Sequence, residues 1–304
     1  MAEPMPQAGA QGYGALAVSP KKYRRQSPLI GIALALLVPV LAFVLVYALL
    51  SFSLHYTSAT LCYVAVAVLG ACFLFYGAYG VWRAFREYVG ETNSHSGWMM
   101  FTAATGLLAV ALGIVLGMNN FSANMLPYYE IENLNVYHSV DPSRYRGNQL
   151  MDAGQFYFAD GAHIDKRFTM GFKSFDIYCV APVVGPGSSS LSNYDFWAVG
   201  KNCCSGGSSR DFRCGEATNP DAAAGLRLTN DADREFYRLV VQQAEAAYGL
   251  KANHPVFLYW LQDPEVEHNL YSSDGSSAFL HATLVYFAVQ LLAVIIAVLV
   301  FAKS

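Results

Sequence analysis

Charge is what this sequence has little of. Asp, Glu, Lys and Arg together make up 13% of its 304 residues, about half the share of an ordinary soluble domain. That deficit excludes an intrinsically disordered chain, which stays solvated through its charge, and it argues against a cytosolic enzyme. Glycine and proline, at 25 and 12 residues, are too few for a collagen-like or low-complexity chain. Phosphate loops, Gly-x-Gly-x-x-Gly fingerprints and Gly-x-Ser-x-Gly elbows are absent. So is any Cys-x-x-Cys pair, which removes the usual thiol-redox and zinc motifs. The charge that is present is gathered in one place. Residues 119–277 hold 31 of the 41 charged side chains, 12 basic and 19 acidic. An acidic balance of this kind disfavours nucleic acid and anionic lipid as partners.

Outside that segment stand four apolar runs, at 29–50, 61–82, 98–118 and 279–302, none containing Asp, Glu, Lys or Arg. A bilayer core of about 30 Å needs about 20 helical residues, and an isolated apolar run has no other way to satisfy its own backbone amides. Four transmembrane helices are expected, packed as an all-α four-helix bundle. Basic residues flank them unevenly: Lys21, Lys22, Arg24 and Arg25 precede the first, Arg83 and Arg86 follow the second, and Lys303 follows the fourth. By the positive-inside rule the tail 1–28, the connector 83–97 and both termini face the cytoplasm, and the domain at 119–278 is extracellular or luminal, at a plasma membrane or endomembrane. The first run is too long for a cleaved signal peptide and reads as a signal anchor. Thr105, Ala109, Gly113 and Gly117 recur every four residues, a small-residue ridge for close helix packing within the chain or between two copies. Pro39 is expected to kink the first span, and Gln290 to hydrogen-bond to a neighbouring helix.

The 119–278 segment is long enough to fold on its own core. Phe168, Met170 and Phe172 alternate, as do Phe175, Ile177 and Cys179, with a register break near Ser174. Asp160-Gly161 and the tract from Gly185 through Ser190 supply turns, and 194–199 makes another strand. An antiparallel sheet of three to five strands is expected. From Asp231 to Tyr248 the apolar spacing is helical, with Asn230 or Asp231 as N-cap and Gly249 as stop. Residues 255–262 read as helical or extended, 119–147 give no firm period, and a polar stretch leads to the fourth span. The domain is therefore α+β.

Four of the six cysteines, Cys179, Cys203, Cys204 and Cys214, lie in this domain, an even number suited to disulfides in an oxidising compartment. A vicinal Cys203–Cys204 bridge would strain its own peptide, which leaves Cys179 joined to one of the pair and Cys214 to the other. The shorter bridge closes a loop of about ten residues, worth about 2–3 kcal/mol in the chain-entropy model. A zinc site lacks the second Cys or His pair that it needs.

Four apolar runs, a large domain between the third and fourth, and the stretch Cys203-Cys204-Ser205-Gly206 together resemble the tetraspanin family. That family's hallmark is Cys-Cys-Gly; here Ser205 stands in the glycine's place and Cys214 precedes Gly215. The resemblance implies the four-span topology, whereas the strand pattern here implies a domain richer in sheet than the family's helical loop.

Chemistry is sparse. Asp160-Gly161-Ala162-His163-Ile164-Asp165 sets two carboxylates near an imidazole, as a divalent-ion loop would, but lacks the full calcium spacing and reads as a hairpin turn. His138, His254 and His268 have no nucleophile at a recognisable spacing. No cofactor or metal is expected. The function that fits is a non-enzymatic membrane scaffold contacting other membrane proteins, or itself, through its domain and its small-residue ridges. An accessory subunit of a larger membrane complex is the alternative, and a membrane-tethered enzyme working around His163 or His254 is a third.

Overall fold

The computed structural model describes residues 28–89, 96–187 and 191–301. Lys21, Lys22, Arg24, Arg25 and Lys303, on which the expected orientation partly rests, and the Ser188–Ser190 part of the expected turn lie outside the described residues. Helices α1 (Pro28–Ser51), α2 (Ser53–Tyr88), α3 (Gly97–Asn120) and, later in the chain, α6 (Pro264–Phe301) contain the described residues of the four apolar runs. Four helices are thus long and apolar enough to cross a membrane.

Three of them outrun a bilayer. Helix α2 starts at Ser53, so the connector to α1 is a bend at Phe52 rather than an open loop, with a break at Ser58 (φ −148°, ψ 62°). Helix α3 continues through a π-helical turn, Phe121–Met125, into α4 (Leu126–Glu132), giving 36 helical residues in a row. Helix α6 has 38 residues, about 57 Å at 1.5 Å per residue. Its first half is the stretch read from sequence as a polar lead-in. That stretch is helical because Pro264 sits at the first position, Asp263 accepts from the Glu265 N–H (3.0 Å), and Glu265 and Glu267 face the positive end of the helix. Asn120 ties the two long rods together: its Nδ2 donates to the Gly275 carbonyl at 3.0 Å. Asn120, the acceptor of the glycosylation sequence Asn120-Phe121-Ser122, is therefore buried in a helix contact, while Ser122 is exposed.

Between α4 and α6 lies a sheet of eight strands: β1 (Asn135–Val140), β2 (Ala153–Phe158), β3 (His163–Ile164), β4 (Met170–Ser174), β5 (Asp176–Val184), β6 (Phe196–Lys201), β7 (Ala224–Arg227) and β8 (Val256–Leu261), with α5 (Asp231–Tyr248) crossing one face. The spatial order is β1-β2-β7-β8-β6-β5-β3, with β4 also on β5. The expected sheet was too small and too uniform, since β1–β2 and β6–β8 pair in parallel. Strand β7 escaped the sequence reading because Ala-Gly-Leu-Arg has little intrinsic strand preference; hydrogen bonds to β2 and β8 on its two sides impose the conformation.

Strand alternation builds two cores. On β5, Cys179, Ala181 and Val183 face one side with Phe156, Phe196, Leu258 and Trp260. Tyr178, Val180 and Val184 face the other, with Trp197 and the α5 stripe Tyr237, Val240, Val241 and Ala244. Helix α5 starts where expected: the Asn230 side chain accepts from the N–H groups of Ala232 (3.0 Å) and Asp233 (3.4 Å), and Gly249, in the left-handed region at φ 69°, closes it.

One buried carboxylate pins the loops. Asp195, 3% exposed, accepts from the N–H groups of Asn253 (3.0 Å) and His254 (3.1 Å) through Oδ1, and from that of Gly147 (3.0 Å) through Oδ2. Replacing Asp195 by alanine orphans three backbone donors and is expected to lower unfolding stability by about 2–4 kcal/mol, with Asp195→Asn retaining part of the loss. Denaturant unfolding of the purified protein checks this.

Candidate functional site

Inside an apolar helix a proline leaves one backbone carbonyl without its usual donor. Pro39 lacks the N–H that would reach the Ala35 carbonyl four residues back. Gln290 on α6, 3% exposed, donates its Nε2 to that same Ala35 oxygen at 2.8 Å. The helix-breaking residue on α1 and the lone amide on α6 are thus two halves of one contact. Tyr286, one turn earlier on α6, stacks on Phe43 of α1 (centroids 4.3 Å) and donates to the Thr105 carbonyl of α3 at 3.2 Å.

The small-residue ridge is used inside the chain. A methyl group on Gly113 would lie 2.9 Å from Val46 Cγ1, and one on Gly117 would lie 3.0 Å from Leu50 Cβ, so both glycines seat α3 against α1. Ala109 is fully buried. Thr105 is only half-buried and turns its hydroxyl back to Phe101 O (3.0 Å). The neighbouring Gly106, which the four-residue spacing passes over, receives the Phe73 ring of α2.

In the domain the disulfides are Cys179–Cys204 and Cys203–Cys214, one of the two pairings left open by the sequence. Cys179, fully buried on β5, anchors the loop 202–222 over the β5–β6 face. Gly200 makes room for this, since a Cβ there would lie 2.8 Å from the sulfurs of both Cys203 and Cys214. The sulfurs of Cys179, Cys203 and Cys214 lie within 4.8 Å of one another, close enough for a metal if reduced; in the disulfides none is a thiolate. Within the loop Asp211 accepts from the hydroxyl and the N–H of Ser205. The Ser205 hydroxyl holds its carboxyl down at about 2. Asp165 is turned away from any ion loop: it pairs with Arg167 at 2.6 Å.

Two features carry no sequence motif. The first is the β4–β5 turn, which the register break near Ser174 had marked. Ser174 pairs directly with Asp176, so Phe175 alone makes the connection, at φ 60° and wholly exposed. Few bulky residues adopt that conformation. The tip is braced beneath: Asn202 Nδ2 donates to Asp176 Oδ1 (2.9 Å), and Asn202 Oδ1 accepts from Ile177 N–H (2.9 Å). The second is an open cleft of about 520 Å³ where the sheet meets the long helices, between α4, β1, β2 and α6. His138 stacks on Tyr157 (4.7 Å) and His268 on Tyr128 (4.6 Å). Only folding brings these four rings together, from segments spread over 140 residues of chain.

Two outcomes follow from these contacts. Gln290→Leu is expected to destabilise the helices by about 0.5–2 kcal/mol by orphaning the Ala35 carbonyl. In a Pro39→Ala background, where the backbone supplies its own donor, unfolding in detergent should show that penalty largely gone. Because Asp211 titrates below an unfolded carboxylate, near 4, its bracing of the loop is present above about pH 4 and fades as pH falls toward 2. The difference in thermal midpoint between the wild type and Asp211→Asn should narrow over that interval.

No protein-family model, curated protein or solved structure matches the chain. The likeness to tetraspanins accordingly stands on the four apolar helices and on disulfides at adjacent cysteines, within a domain built on a mixed sheet.

Proposed function

We propose that the protein is a multi-pass membrane protein that presents its disulfide-braced domain, on the extracellular or luminal side, as a platform for binding another membrane protein. The apolar helices argue for the membrane and the disulfides for the oxidising side of it. Arg83 and Arg86, at the end of α2 away from the domain, fit a cytoplasmic connector and cytoplasmic termini. The four helices form a bundle in this reading, and because Gly113 and Gly117 are filled by α1, partner contact falls to the domain rather than to the ridge. The domain binds and does not transform.

Phe175 carries this reading. Its strand lies toward the sheet edge opposite β1 and β2, where the long helices attach. A phenylalanine with its whole side chain in water, in a conformation that disfavours it, on a turn whose neighbours are hydrogen-bonded in place, is poor for stability and good for presentation. Aromatic anchors of this kind fill pockets on partners, and local strain concentrates at such places.

Glycine at 175 accepts the positive φ without penalty, so Phe175→Gly is expected to raise stability by about 1 kcal/mol. A photo-crosslinker at Lys173 in native membranes should capture a discrete partner with the wild-type chain. Phe175→Gly and Phe175→Ala should both lose it with the disulfides intact. Unchanged capture in both variants would rule out the platform at this tip.

A further inference from the structure

The cleft between the sheet and the long helices has a floor that lacks a partner. Gln155 on β2 is 8% exposed and lines the cleft. Its side-chain amide takes no hydrogen-bond partner from the described residues, and its polar atoms open onto the cleft. Every other polar side chain around it either is open to water or is held in place. His268, 4% exposed, has its Nε2 3.1 Å from the Tyr128 carbonyl and 3.7 Å from the Glu132 carboxylate. Tyr157 donates toward Asp263 at 3.4 Å. Glu132 and Glu265 stand on opposite helical walls, α4 and α6, and Lys and Arg are absent from the lining.

We propose that this cleft binds a small organic cation carrying primary ammonium groups. Three observations select that chemistry. The lining holds two carboxylates and no basic side chain, so an anion is disfavoured. The aromatic rings of Tyr128 and Tyr157 favour a cation that also has carbon to pack. The Gln155 carbonyl oxygen, open to the cleft and without a protein donor, is free to accept from an ammonium N–H. A bare metal ion fits less well: among the described residues, groups of three or more ligating side chains gathered at metal-binding distance occur only at the cysteines. The volume, about 520 Å³, is that of a small-molecule site rather than of an ion. The ligand would touch α4, β1, β2 and α6 at once, and so would bridge the domain to both long helices. This site is independent of the Phe175 tip.

Spermidine is a suitable probe, titrated calorimetrically into the full chain in detergent micelles. The expected result is saturable one-to-one binding, weakened about tenfold by Glu265→Gln and by Gln155→Met, since one charge-assisted hydrogen bond is worth about that factor. Asp221→Asn, an acidic surface change away from the cleft, should leave affinity unaltered. Gln155→Met preserves side-chain size, and Glu265 is exposed, so both variants should fold, Glu265→Gln giving up only its charge at the start of α6. Absence of saturation, or equal weakening by Asp221→Asn, would reduce the effect to polycation on an acidic surface and overturn the proposal. So would tighter binding of zinc or calcium that is lost in the same two variants, which would make the cleft a metal site.

Discussion

A peptide group with no water to turn to must find its hydrogen bond within the protein, and the helical part of this structure follows from that constraint. It makes each apolar run a helix. It also explains one place where two helices are joined by a polar bond in an otherwise apolar contact. Pro39 cannot donate to Ala35, and Gln290 donates instead. A proline that would otherwise only weaken α1 thereby fixes where α6 crosses it. Around that point Phe43 stacks on Tyr286, and Tyr286 reaches the Thr105 carbonyl, so α1, α3 and α6 are registered by a few specific contacts.

The same helices carry that register into the domain. Because α3 runs through a π turn into α4, and α6 begins at Pro264, the sheet is attached by two long rods rather than by flexible linkers. The Asn120–Gly275 bond and the His268–Tyr128 stack join the rods along this stretch. Helix α6 packs on β2 and β7, and α5 packs on β4 and β5. The opposite face is closed by loops, and there the two disulfides take the place that a second helical layer would occupy. Phe175 and the cleft lie at opposite regions of this one sheet.

Much of this was legible from composition and spacing. Apolar runs of bilayer length, the cap and stop of α5 at Asn230 and Gly249, and the break near Ser174 each depend on near neighbours in the chain, which a linear reading sees. The disulfide alternatives narrowed to two for the same reason, since Cys203 and Cys204 are adjacent. Strand β7 and the parallel pairings were not legible. Ala224–Arg227 is a strand only because β2 and β8 lie on either side of it. Residues 264–278 looked like a lead-in because their polar side chains hide a helix whose partner, α4, is more than 130 residues away in the chain.

By itself the sequence determined the division of the chain into apolar helices and a cysteine-bearing α+β domain, because burial and backbone satisfaction act on contiguous runs. It singled out Pro39 and Gln290 separately. Only the tertiary structure decided that they meet, that Cys179 takes Cys204 and Cys203 takes Cys214, that Gly113 and Gly117 are filled by α1, and that Phe175 stands clear of the sheet while Gln155 faces an open cleft. Those outcomes depend on distances between residues remote in the chain, which no local preference encodes.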